Sequence, residues 1–226
     1  MFFPPFLFFF FFVFLFLLFS LFTLVKFGLF ALAFERLGIP PEDLFSLFLL
    51  CMLGSMINIP IKKIPLEAQS PEEIWETISF FGIRFQPPPW RYSRTMIIAV
   101  NIGGAVIPTC ISLYLFLNSP HPLRLLLATG VVTWIVHRLA RPVPGLGIAT
   151  PMFVPPFAAA LTAMILDPAW APPTAYVAGT LGTLIGADLL NLGRVKELRA
   201  PVVSIGGAGT FDGIFLTGII AVLLAY

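Results

Sequence analysis

Apolar runs long enough to cross a bilayer recur along most of the chain. A hydrocarbon core about 30 Å thick requires around 20 mostly apolar residues per helix. On that scale the pattern predicts seven spans, near 6–30, 43–59, 95–117, 122–138, 150–166, 172–192 and 204–225. The second, fourth and fifth of these are short. The expected fold class is an all-α polytopic membrane protein: about seven transmembrane helices in a single integral membrane domain over 1–226, with broken or re-entrant segments. The one long polar connection, 60–94, reads as a cytoplasmic or interfacial insertion within it. In that connection Ser70-Pro71-Glu72-Glu73 resembles a helix start, with a capping serine, proline at the first position and acids in the first turn. Ile74, Trp75, Ile78 and Phe81 follow at helical spacing and predict a short interfacial helix. The flanking stretches Ile57–Glu67 and Gly82–Pro87 fit two strands of a hairpin equally well.

Charge placement sets an orientation. The second, fourth and sixth connections carry ten basic residues: Lys62, Lys63, Arg84, Arg91 and Arg94, then Arg138 and Arg141, then Arg194, Lys196 and Arg199. Arg36 and Arg124 lie on the other side, joined by Lys26 if it snorkels that way. Basic residues near span ends are retained in the cytoplasm, so the N-terminus is expected inside the cell membrane and the C-terminus outside. The Phe-rich N-terminal run has no basic leader and no small-residue cleavage site, and reads as a retained first span.

Composition agrees with this picture. Of 226 residues 58% are hydrophobic and 11% charged, against about 25% charged in ordinary soluble domains. A net charge of +2 shows no basic patch, so nucleic acid is not an expected partner; the lipid bilayer is. Cys51 and Cys110 lie in apolar stretches and read as small buried hydrophobes, not as a disulfide or metal pair. Neither a dense metal motif nor a nucleotide loop is present, and Gly206-Gly207-Ala208-Gly209 lacks the lysine of a phosphate loop, so no metal or cofactor is expected.

Candidate chemistry rests on polar groups inside spans, because an ionisable side chain in hydrocarbon costs at least about 2.5 kcal/mol. Two carboxylates qualify: Asp188 near the cytoplasmic end of the sixth span and Asp212 near the start of the seventh. The two spans are antiparallel and share a short connection, so both aspartates enter from one face and are expected across one cavity. Gly179, Gly182 and Gly186 form a helix-contact stripe from which Asp188 points away, toward the side of Leu184 and Asn191. Gly206, Gly207 and Gly209 predict an unwound stretch ending near Thr210, which puts Asp212 in a first helical turn where exposed amides also suit an anion. His137 ends the fourth span within reach of the same cavity, and Asn101, in the third, is helix glue or a pathway residue. Arg141–Pro151, dense in proline and glycine, is expected to be non-helical. Asp43 and Asp167, beside prolines at span ends, read as caps or turn residues.

Gly-Thr-Leu-Ile-Gly-Ala-Asp188-Leu-Leu-Asn-Leu, the stretch from Ser204 to Gly218, the segment from His137 to Pro151, and the NIPIKKIP and NIGGAVIP motifs together resemble an uncharacterised prokaryotic family of integral membrane proteins, a domain of unknown function. That resemblance implies no activity. A weaker similarity is to the diaspartyl intramembrane proteases of the presenilin and prepilin-peptidase group. It implies Asp188 and Asp212 as the catalytic pair, with Gly207 and Gly209 as the glycine motif, here separated from Asp212 by Thr210 and Phe211.

Two function classes follow. In the first, two carboxylates share a proton and activate water to cleave a membrane peptide. In the second, broken helices and the same carboxylates bind an ion, proton or small molecule in a transporter or channel, with Asn191, His137, Asn101, Gly207, Gly209 and Thr210 as lining groups. A non-catalytic structural or lipid-binding role is the third reading.

Overall fold

Proline is 22 of 226 residues, and among the described residues it opens helices instead of interrupting them. The chain, in a computed structural model describing residues 5–65, 78–80, 83–85, 95–143, 147–198, 200–207 and 213–225, is mostly helical. Among those residues the order is α1 (Pro5–Arg36), α2 (Pro41–Gly54), β1 (Asn58–Pro65), β2 (Ile78–Phe80), β3 (Ile83–Phe85), β4 (Thr95–Asn101) and α3 (Ile107–Leu117). There follow α4 (Pro122–Leu139), β5 (Arg141–Val143), β6 (Gly147–Ala149), α5 (Val154–Leu166), α6 (Ala171–Thr183), β7 (Val202–Ile205) and α7 (Gly213–Leu224). Five helices, α2 to α6, carry proline at one of their first two positions, where its missing N–H has no intrahelical partner to lose.

Alpha6 is the axis of the bundle. Eleven of its thirteen residues are buried, and eight of those are alanine, glycine or threonine, with the larger Tyr176 fully buried among them. A Cβ on Gly182 would meet Val132 at 2.7 Å, one on Gly186 would meet the Thr133 carbonyl at 2.6 Å, and one on Gly179 would meet Ala159 and Thr217 at 3.3 Å. The glycine stripe is therefore the face on which α4, α5 and α7 close, together with Ala128, Ala159, Ala163, Ala178 and Ala221. A second cluster of larger residues joins α1 and α2 to this axis: Phe30 stacks on Phe34 and on Phe215 and meets Phe48 edge-on, and Phe34 meets Tyr176 edge-on.

The third predicted span is not one helix. Its first seven residues, Thr95–Asn101, form β4, the central strand of a sheet ordered β1-β4-β7. The β-branched run at Ile97, Ile98 and Val100 suits a strand covered on both edges. Antiparallel β1 supplies one edge, with Asn58 opposite Asn101, and parallel β7 the other, with Val100 opposite Ile205. Pro60 and Pro65 sit on the edge strand, with a register shift between Pro60 and Lys62. The seventh span likewise begins as strand, and among the described residues its helix is Gly213–Leu224. The sixth continues beyond Thr183 as a π turn, Leu184–Asp188, and a 3-10 segment, Leu189–Leu198. In the polar insertion Ile78 lies in β2, paired antiparallel with β3, and not in a helix; Ser70 to Trp75 and Phe81 lie outside the described residues. Arg141–Val143 pairs antiparallel with Gly147–Ala149, so the backbone there is extended on both sides of residues 144–146, which are outside the description.

Sheet and helices meet at two glycines. Ile102–Val106 is a π turn between β4 and α3, and a Cβ on Gly104 would land on the Gly206 carbonyl oxygen. Gly206 itself has φ +85°, and its own Cβ would meet the Ala105 nitrogen at 2.6 Å. At the far end of the bundle Arg36 Nη1 donates to the Leu223 carbonyl at 3.1 Å and the Val222 carbonyl at 3.4 Å, tying α1 to the end of α7.

These contacts predict opposite signs for the same change. Gly104→Ala and Gly206→Ala should each lower stability by about 2 kcal/mol or more. Gly130→Ala, on an exposed face of α4 with nothing within 4 Å of the added carbon, should raise it by about 0.5–1 kcal/mol. Thermal midpoints of the detergent-solubilised chain, compared among the three variants, check this.

Candidate functional site

Where β4 turns into α3 the fully buried Asn101 holds three segments together. Its carbonyl oxygen accepts the Gly104 N–H at 2.7 Å, and its amide donates to the Ser55 carbonyl at 2.7 Å and to Asn58 Oδ1 at 3.2 Å. Asn58 Oδ1 also accepts from the Ser204 hydroxyl at 2.6 Å, so the link crosses the sheet from β1 to β7. Two residues further on, the Gly206 N–H donates to Asp188 Oδ2 at 2.7 Å. A backbone amide at that distance from a carboxylate is a charge-assisted bond, stronger than a neutral one. It pins the end of α6 to the turn after β7.

Beside this bond lies a cavity of about 570 Å³, bounded by β6, the start of α5, the end of α6, the 3-10 segment, β7 and α7. Asp188 is the one charged side chain among the described residues lining it. Thr150, Thr183, Ser204 and Thr217 add hydroxyls, and most of the remaining lining is apolar, including Ile148, Met152, Leu192 and Ile214. Gly207 borders the cavity as well. Gly209, Thr210 and Asp212 lie outside the described residues, and with them the expected pairing of Asp188 with Asp212.

Asn191 and Asp188 serve different neighbours. The π turn and the 3-10 segment change the angular spacing, and the Asn191 amide turns back to the Gly186 carbonyl at 3.0 Å and the Ala187 carbonyl at 2.9 Å. His137 Nδ1 sits 3.3 Å from that same Gly186 oxygen and 3.4 Å from Asn191 Nδ2. Both side chains thus gather at carbonyls of the π turn, on the α4 side of α6.

Asp167 is more than a turn residue. It is 0% exposed, its Oδ2 accepts from Thr174 at 3.0 Å, and His121 Nδ1 stands 3.0 Å from its Oδ1. That second contact lies off the hydrogen-bond direction, so it attracts as charge when the imidazole is protonated. Arg124, half exposed and 3.7 Å away, adds little. The signal for this cluster was topological: antiparallel α3–α4 and α5–α6 pairs bring both connections to one end. The sheet had its own signal in Ile-Gly-Gly-Ala, which occurs in the sequence at Ile102–Ala105, directly after β4, and again from Ile205, the last residue of β7.

Residues 52–224 match the family described as "Protein of unknown function (DUF1614)". The chain belongs to this family. No curated protein and no solved structure matches it. The DUF1614 region contains the sheet, the cavity and α3 to α7, whereas α1 and most of α2 precede it. In this DUF1614 chain every described group of the cavity falls within the matched residues.

Two substitutions separate the networks. Asn101→Ala orphans the Gly104 N–H and the Ser55 carbonyl, at about 1–3 kcal/mol for each buried group. Asp167→Ala orphans mainly the Thr174 hydroxyl, since the His121 contact is not a hydrogen bond and Arg124 is half exposed, and should cost about 1–3 kcal/mol in all. Denaturant or thermal midpoints should therefore rank Asn101→Ala as the more damaging; the reverse order refutes the assignment of Asn101 as the sheet's anchor.

Proposed function

We propose that the chain is a multi-pass protein of the cell membrane and that the Asp188 cavity is the solute site of a transporter or channel. The observation that carries this reading is the placement of Asp188: at the irregular end of α6, bonded to the turn after β7, in a cavity walled by strands and broken helix. Solute sites in transporters are built from such discontinuous helices. Non-helical backbone is tolerated at membrane depth only where it lines a cavity or is buried in protein.

Support for the membrane comes from the outer faces. Among the described residues two helical runs are long and apolar enough to cross a bilayer, Leu15–Arg36 and Pro168–Leu198; Ile102–Leu117, Val154–Leu166 and Gly213–Leu224 are apolar but shorter. Phe16 and Phe19 are 68% exposed on α1, and Leu117, Leu123 and Ile165 at the ends of other helices more than that. Water is a poor solvent for surface of this kind, and hydrocarbon is a good one. In the proposed topology the N-terminus is cytoplasmic, the C-terminus external, and the strand end of the bundle faces the cytoplasm with most of the basic residues.

The diaspartyl hydrolase reading depends on Asp212, and neither the family match nor the described geometry favours it. It enters as an outcome of the test.

Topology is checked with impermeant maleimide on intact cells: Ser119→Cys should label, and Glu197→Cys should label only after permeabilisation. The reverse pattern overturns the orientation, and equal labelling overturns the arrangement of spans. Activity is checked in proteoliposomes, where Asp188→Asn should abolish solute or proton flux without changing the melting temperature by more than a few degrees. If Asp188→Asn and Asp212→Asn instead abolish cleavage of a membrane peptide and leave flux intact, the hydrolase reading replaces this one.

A further inference from the structure

We infer that the edge strand β1 lies in the headgroup layer of the bilayer and binds anionic phospholipid through Lys62 and Lys63. The inference is independent of the solute site and rests only on the membrane placement proposed above. Seven of the eight residues of β1 are exposed, and its one paired edge is the one it shares with β4. Ile64 alone is partly buried, against the cluster that holds Met96 and Ile98.

The exposed side chains change character along the chain. Leu50 and Leu53 are exposed on the last turns of α2, Met56 and Ile57 follow in the turn, and Ile59 and Ile61 continue on the strand. Met56 is 74% exposed and Ile61 60%. Lysine then takes over at positions 62 and 63. Apolar groups of this kind favour acyl chains, and two cations directly after them favour the phosphates that lie above. Lys62 stands opposite Ile98 and Lys63 opposite Ile97, so the two side chains leave opposite faces of the strand and flank its open edge. Among the described residues neither lysine is in an ion pair, whereas Arg194 is held by Glu197 at 3.1 Å.

Other occupants fit this edge less well. A second copy adding a strand would find no N–H at Pro60 or Pro65, and its own lysines would repel these. An acidic protein would match the lysines alone, because Met56 and Ile57 continue the exposed apolar side of α2. Anionic lipid supplies both chemistries in the order in which the chain presents them.

The test places an NBD fluorophore on Ile61→Cys, with Cys110→Ala in the background because Cys110 is exposed and Cys51 buried. The full chain is reconstituted at one copy per nanodisc, in phosphatidylcholine carrying a headgroup nitroxide, with or without phosphatidylglycerol. The nitroxide should quench the fluorophore about twofold more strongly when phosphatidylglycerol is present. High salt should abolish that difference, and so should Lys62→Gln combined with Lys63→Gln. Both lysines are exposed, so the double variant should melt with its parent; if it does not fold, the lipid and salt dependence of the parent decides. Equal quenching with and without phosphatidylglycerol, no quenching in either disc, or a difference that survives high salt or the folded double variant each overturns the inference. A signal that appears only when two copies share a disc overturns it in favour of self-association. The two readings fail separately. A reversed maleimide pattern with lipid-dependent quenching intact overturns the orientation alone, and the expected pattern without quenching overturns the lipid contact alone.

Discussion

The close approach of Gly104 to Gly206 is the constraint on which the sheet end of this protein depends. A parallel pair of strands must each turn into a helix leaving in the same direction, and the two turns collide unless both are bare backbone. Glycine on both sides removes the collision, and the left-handed conformation of Gly206 aims its N–H at Asp188. From that bond follow the position of Asp188, the angle at which α6 ends, and the cavity between α6, β7 and α7.

Irregular backbone is expensive where water is scarce, and this chain compensates it with side chains. The π turn after β4 is closed by the Asn101 side chain on the Gly104 N–H. At the π turn after α6 the Asn191 amide donates to the Gly186 and Ala187 carbonyls. The orphaned amide at Gly206 goes to Asp188. Buried polar groups of this kind must be satisfied, since each one left alone costs about as much as a lost core methyl group or more. Asn101 and Asn191 stabilise bends in this way, and Asp188 does so while also lining a cavity.

The far end of the bundle is organised by different chemistry. Arg36 caps the carbonyls at the end of α7, and Asp167 ties the α5–α6 connection to His121 and Thr174. Both are local contacts between connections that the antiparallel bundle stacks together. They leave the cavity end free to be shaped by strands.

Much was legible in the sequence because hydrophobic period and chain length act locally. Among the described residues each α-helix falls largely within an apolar run, and the spacing of Gly179, Gly182 and Gly186 identified the contact face of α6. What a one-dimensional pattern cannot carry is pairing between distant segments. Thr95–Asn101 read as the beginning of a membrane helix, and Ser204 and Ile205 as the edge of another span, because buried strands and buried helices are equally apolar; pairing with strands distant in sequence decided the outcome. The same holds for the polar residues. Asp188, Asn191 and His137 were conspicuous by type and depth. Which of them faces a cavity and which fills a bend depended on the winding between residues 184 and 198. Asp167 looked like a turn residue by its neighbours in sequence, and its burial against His121 was decided by neighbours in space.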